Sequence, residues 1–247
     1  VRFTAIYCLV LVSLLAWGTA VADGIPDERL VIGRLPCAGG ENPSAHGIRQ
    51  LVWELTKRTS VEAEPETVAV DPADPDLSRT PFLLWSCEGA VAELDQQALS
   101  NLRRFLVMGG FLWVDDPSAA PGGAFDRSIR FTVARLFPGK NLEQVPAGHV
   151  IFKTFFLISR PTGRVATAGL EGLSVDQRLA IVYSHGDLLG ALAKDLYGNW
   201  EKVCEPGGEV QREESYRMAI DIVFYALCLD YKNDRVHLQF ILKRRRL

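Results

Sequence analysis

Cysteine is scarce in this sequence, five in 247 residues, and methionine scarcer still, at two. So few thiols exclude a disulfide-dense miniprotein, and the lack of any CxxC or HxxxH spacing removes the usual zinc patterns. Neither sign of charge dominates: 27 Lys and Arg stand against 30 Asp and Glu, for a net charge of −3. Composition therefore gives no support for bulk nucleic-acid binding. No internal repeat and no long linker interrupts the chain, and repeated apolar spans of membrane-crossing length are missing. What remains is an ordinary globular mixture, 48% apolar, 23% charged and 9% aromatic. Those proportions exclude a disordered tail or a collagen-like repeat and fit one compact domain of about 200 residues.

Residues 1–22 read as a cleaved signal peptide and 23–247 as a single α/β domain. Arg2 supplies the positive end, Ala5 to Trp17 is apolar apart from Ser13, and Ala20-Val21-Ala22 gives the small-x-small pattern of a cleavage site before Asp23. The apolar run is shorter than the ~20 residues of a spanning helix, so no anchor is expected after cleavage. The expectation is a protein outside the cytoplasm, periplasmic or secreted. Cleavage leaves Cys37, Cys87, Cys204 and Cys228, which permit three pairings that spacing alone does not separate.

The mature chain alternates strand and helix signals. Leu30–Leu35, Thr67–Val70, Pro81–Ser86, Phe111–Asp115 and Arg178–Ser184 are short apolar runs bounded by turn residues, and read as strands. Ile48, Leu51, Val52 and Leu55 fall on one face of a helix over His46–Lys57; Leu99, Leu102, Phe105 and Leu106 do the same over Leu94–Met108, which Gly109-Gly110 terminates. Further helices are expected at Phe125–Leu136, Leu188–Leu196 and Glu213–Leu229, and a last strand at Val236–Leu242 before Lys243–Arg246. His149–Ile158 is apolar and of ambiguous type. The rhythm predicts parallel crossovers: a three-layer, open, mostly parallel α/β sheet with helices on both faces.

Several segments in this order and spacing resemble the domain-of-unknown-function 4159 family. They are Pro81–Leu84, Leu102–Phe105 leading into Gly109–Asp116, Gly148–Phe152, Arg178–Asp187, and Tyr225–Leu227 through Tyr231–Asp234. The resemblance covers about residues 28–247. It implies an amidotransferase- or flavodoxin-like open α/β sheet, as in class I glutamine amidotransferases, and it carries no established activity, so it speaks to fold and not to reaction.

In an open parallel sheet, ligands bind beyond the carboxyl ends of the strands. Cys87, Asp115, Asp116, His185 and Asp187 all follow strand ends; Asp115, Asp116, His185 and Asp187, with His149, form the candidate ligand-binding set. The catalytic alternative is an envelope hydrolase or amidase in which Cys87 is the nucleophile, His185 its base and Asp187 the group holding the imidazole tautomer. Against it, the strand-to-helix elbow of such enzymes has Gly two residues before the nucleophile, where Trp85 stands. A second alternative has Asp115 and Asp116 holding a metal. Plainer readings exist for each: a structural or disulfide-bonded Cys87, a turn-capping Asp in 115–116, a core His149, and Asp187 capping the helix that follows. His46 and His237 have no supporting context. The leading expectation is a non-catalytic binding or interaction module of the cell envelope that needs no cofactor and contacts cell-wall polymer or other envelope proteins. The basic Lys243–Arg246 run is a solvated tail or a contact for an acidic surface.

Overall fold

A computed structural model describes residues 29–39, 43–160, 162–167 and 169–228. The expected signal peptide, the strand at Val236–Leu242 and the basic run at Lys243–Arg246 lie outside the described residues.

Seven strands form one sheet. In chain order they are β1 (Ile32–Arg34), β2 (Val68–Ala69), β3 (Phe82–Trp85), β4 (Phe111–Asp115), β5 (Glu143–Gln144), β6 (Leu170–Val175) and β7 (Arg178–Ser184), arranged β2-β1-β3-β4-β7-β6-β5. The pairs from β2 through β7 are parallel, and the β7-β6-β5 side is antiparallel. The five strands expected from the apolar runs pair in parallel, with β1, β3, β4 and β7 at the centre. Helices α1 (Ala45–Arg58), α2 (Gln96–Val107), α3 (Ala124–Leu136) and α4 (Gly208–Leu227) complete the layers.

Side chains alternate across a strand, so each strand feeds two cores. Phe82, Leu84, Phe111, Trp113 and Val182 pack with α1 and α4 on one face. Leu83, Trp85, Leu112, Val114, Ile181 and Tyr183 pack with α2 and α3 on the other. Strands covered on both faces have to be apolar throughout, and β3 and β4 are buried at every position. Asp95 caps α2 by accepting the Ala98 amide at 2.7 Å. Gly109 then leaves the helix at φ +124°, a conformation that favours glycine, and turns the chain into β4.

Two expectations need correction. No helix forms over Leu188–Leu196: Asp187 sits at φ +53° and the chain runs on in turns. Asp187 accepts the Gly190 amide as an N-cap would, and the Ala191 amide reaches the Asp187 carbonyl, but only this one turn forms. A strand not foreseen, β6, makes a hairpin with β7 through Asp176 and Gln177, both at positive φ (49° and 65°). This is the two-residue turn that matches strand twist, built without the Asn-Gly or Asp-Gly pair that usually announces it. Within the ambiguous 149–158 segment, only Val150–Lys153 is regular, as a single 3-10 turn.

Candidate functional site

The carboxyl edge of the parallel strands gathers the predicted polar residues, and the strand period sorts them. Asp115 and Asp116 are neighbours on one chain, so they point to opposite faces of the sheet and do not form a joint metal site. Among the described residues no group of three or more His, Cys, Asp or Glu side chains is placed to hold a metal ion.

On the α1/α4 face, Asp115 is fully buried and fully engaged. It accepts from the Ser184 hydroxyl at 2.5 Å and from the Leu188 and Leu189 amides at 2.9 Å each. Ser184 Oγ in turn accepts from the Trp113 indole at 2.9 Å. Burial, and then the nearby charge of Asp187, push the Asp115 carboxyl up to about 7, against the opposing pull of its three donors. Asp187, 1% exposed, accepts from Arg164 Nε at 2.6 Å, Lys202 Nζ at 2.9 Å and the Gly190 amide at 3.0 Å. These two carboxylates collect the amides at the start of the turn after β7 and clamp it to the sheet. Gly47 of α1 lies against the Leu189 carbonyl so closely that a Cβ there would clash with it.

On the α2/α3 face the bonding is incomplete. Asp116 uses Oδ1 to accept from the Ser118 amide (2.9 Å) and hydroxyl (2.6 Å), while its Oδ2 is buried without a hydrogen-bond partner. Tyr183 Oη and His185 Nε2 are likewise buried and make no hydrogen bond of good geometry, though each faces a carboxylate, Asp126 for Tyr183 and Glu171 for His185. The His185 ring stacks on Tyr183, with centroids 3.9 Å apart, and its Nε2 lies 3.4 Å from Glu171 Oε2. Glu171 pairs with Arg130 Nη2 at 2.9 Å, and Arg130 Nε with Asp126 at 2.9 Å, so α3 and β6 are tied across this corner. Burial first, and then the Asp116 and Asp126 carboxylates, hold the Tyr183 phenol protonated far above its ordinary range. A buried polar atom without a partner is rare in a folded protein and marks a place for water or ligand.

Three sequence-predicted residues take other roles: Cys87, Asp187 and His149. Cys87 is bonded to Cys37, with Cα atoms 5.6 Å apart, so it presents no thiol and the nucleophile reading fails. Nor do His185 and Asp187 form a base and its orienting acid, because Asp187 is held by Arg164 and Lys202 whereas His185 faces Glu171. His149 is at the opposite end of the sheet. It accepts the Ile151 amide at 3.1 Å, capping the 3-10 turn, and packs on Tyr225, whose hydroxyl takes the amide of Leu179 at the start of β7. Cys204 is buried, and burial raises its thiol.

Tyr183, Glu171, Asp126 and Arg130 were not singled out from sequence. Tyr183 shares a face with His185 two residues on, and Asp126 and Arg130 stand four apart on a helix, so both relations were there to find. Glu171 lies on the unforeseen strand.

The family model of a domain of unknown function (DUF4159) matches residues 32–227. The chain belongs to that family. No curated protein matches it. The match covers every strand and helix described above, including both faces of the carboxyl edge.

Proposed function

We propose that this member of the family is a non-catalytic binding module of the cell envelope, exported by its N-terminal segment, with an amidotransferase-like scaffold and its ligand face around His185 and Asp116. One observation carries the reading: the Cys37–Cys87 disulfide. It occupies the sulfur that an amidase of this architecture would use as nucleophile. It also supports an oxidising compartment, since cytosolic thiols are kept reduced. Asp115 and Asp187 support the same reading, because their lone pairs are spent on the protein itself.

The ligand chemistry follows from what is left over. Asp116 Oδ2 accepts hydrogen bonds, His185 Nε2 donates or accepts one according to tautomer, and Tyr183 Oη does both. A compound rich in hydroxyl and amide groups, such as a sugar–peptide fragment of cell wall, matches that set. His185 is the outermost of the three, its side chain 12% exposed, and Asp116 lies behind the Ser118 turn, so contact begins at His185. The test is peptide mapping of the protein recovered from its native compartment, alkylated before and after reduction. The expected result is a linked pair of peptides carrying Cys37 and Cys87. A Cys87 that alkylates without reductant would restore the nucleophile and overturn the reading.

A further inference from the structure

The amino edge of the sheet holds a feature that the binding face does not explain. A cavity of about 410 Å³ opens below β1, β3 and β4 between the last turns of α2 and α4, with Leu77, Phe82, Phe105, Met108, Phe111 and Leu227 among its walls. Met108 and Leu227 stand 79% and 39% exposed. An open apolar groove of this kind is a docking surface, because covering it removes apolar area from water.

We propose that its occupant is this chain's own segment Val236–Leu242, with Lys243–Arg246 lying on the Asp71–Asp76 loop. Three observations carry this. First, Ala226 and Leu227, the last residues of α4, line the groove, so the chain leaves the helix at its mouth. Residues 229–235 reach ~24 Å when extended, enough to cross from one side of the sheet's edge to the other. Second, Val236, Leu238, Phe240 and Leu242 alternate with His237, Gln239 and Ile241, so an extended segment gathers four large apolar side chains on one face. Third, the charges match. The 71–76 loop is held beside the groove by Asn101 Nδ2 on the Ala73 carbonyl (2.8 Å) and Arg104 Nη2 on the Pro75 carbonyl (2.7 Å). Asp76 pairs with Arg79, while Asp71 and Asp74 are exposed and, among the described residues, without a cation. Four consecutive cations directly follow the apolar segment. Opposite charges at such a rim fix register and direction, and are screened by salt.

Amide hydrogen exchange on the full chain, with carbodiimide cross-linking of a mixture of isotope-labelled and unlabelled protein, tests the proposal. We expect amides 236–242 to exchange at least tenfold more slowly than a free peptide, and cross-links from Lys243 to Asp71 or Asp74 within one copy. Phe240→Asp and, separately, Met108→Glu should each abolish both. Met108 is so exposed that its substitution leaves the fold intact, which near-ultraviolet circular dichroism verifies. Free-peptide exchange over 236–242, or protection that survives Met108→Glu, overturns the proposal. So do cross-links found only between labelled and unlabelled copies, which would assign the groove to a second molecule.

Discussion

The two ends of the sheet are built on opposite principles. At the carboxyl edge, polar groups are dense and mostly satisfied: a disulfide, two carboxylates with three donors each, and an Arg130 bridge between α3 and β6. At the amino edge the walls are mostly apolar, with Ser78, Asn101 and Arg104 among them, and an open cavity takes the place of a polar lattice. Charge at a strand end is therefore no sufficient sign of a ligand site. What distinguishes a clamp from a contact group is whether its lone pairs are already used. By that criterion Asp115 and Asp187 are clamps, and Asp116, Tyr183 and His185 are the groups with capacity to spare.

The comparison can be broken most forcefully at its covalent member. The Cys37–Cys87 bond closes a loop across a sequence separation of 50, so replacing both cysteines by Ala should lower the unfolding free energy by about 4 kcal/mol. Urea denaturation of the purified protein reads this as a lower midpoint. An unchanged midpoint would mean that the loop is held equally well without the bond.

Asp115→Ala comes next. It leaves the Leu188 and Leu189 amides and the Ser184 hydroxyl to find other partners, at a cost of about 3 kcal/mol. Asp116→Asn, one residue away, keeps an oxygen for Ser118 and should change stability by less than about 1 kcal/mol. Equal losses for the two variants would erase the distinction between clamp and contact.

Stability should also respond to pH in an unusual direction. Burial lifts Asp115 to about 7 and Asp221, which holds the Phe155 and Phe156 amides, to about 6. Both lie above the ~3.9 of an unfolded Asp. The folded state thus binds more protons than the unfolded state between these values, so stability falls as pH rises from about 4 to about 7. A melting series at pH 5, 6, 7 and 8 should show a declining Tm, with the slope reduced in Asp221→Asn. A Tm that climbs over this range would show that the two carboxyls are not held in the protonated form.

A similarly small effect belongs to His149→Ala. Losing one cap on a short 3-10 turn should cost about 1 kcal/mol. The unfolding midpoint should therefore shift only slightly, and ligand response at the carboxyl edge should be untouched.

The central parallel strands were legible because burial on both faces forces continuous apolar runs, as in Phe82–Trp85 and Phe111–Val114. The antiparallel side was not. β6 mixes Glu171, Gly172 and Ser174 into six residues, and its turn uses Asp176-Gln177. Convergence of Cys87, Asp115, Asp116, His185 and Asp187 on one edge followed from the strand ends alone. Their roles did not, since those depend on partners far off in sequence: Cys37 for Cys87, Arg164 and Lys202 for Asp187, Glu171 for His185. His149 was misplaced because an apolar segment without periodicity gives no direction. One relation was available and unused: adjacent residues on a strand diverge, which already separates Asp115 from Asp116.

The most direct test of the account is a thermal-shift titration with soluble peptidoglycan fragments, comparing the wild type with His185→Ala, Asp116→Asn and His149→Ala. A ligand stabilises only the state that binds it. The account predicts a concentration-dependent rise in Tm for the wild type and for His149→Ala, and a rise lost in His185→Ala and Asp116→Asn even though both variants fold. No rise in the wild type, or the same rise in all four proteins, would contradict it.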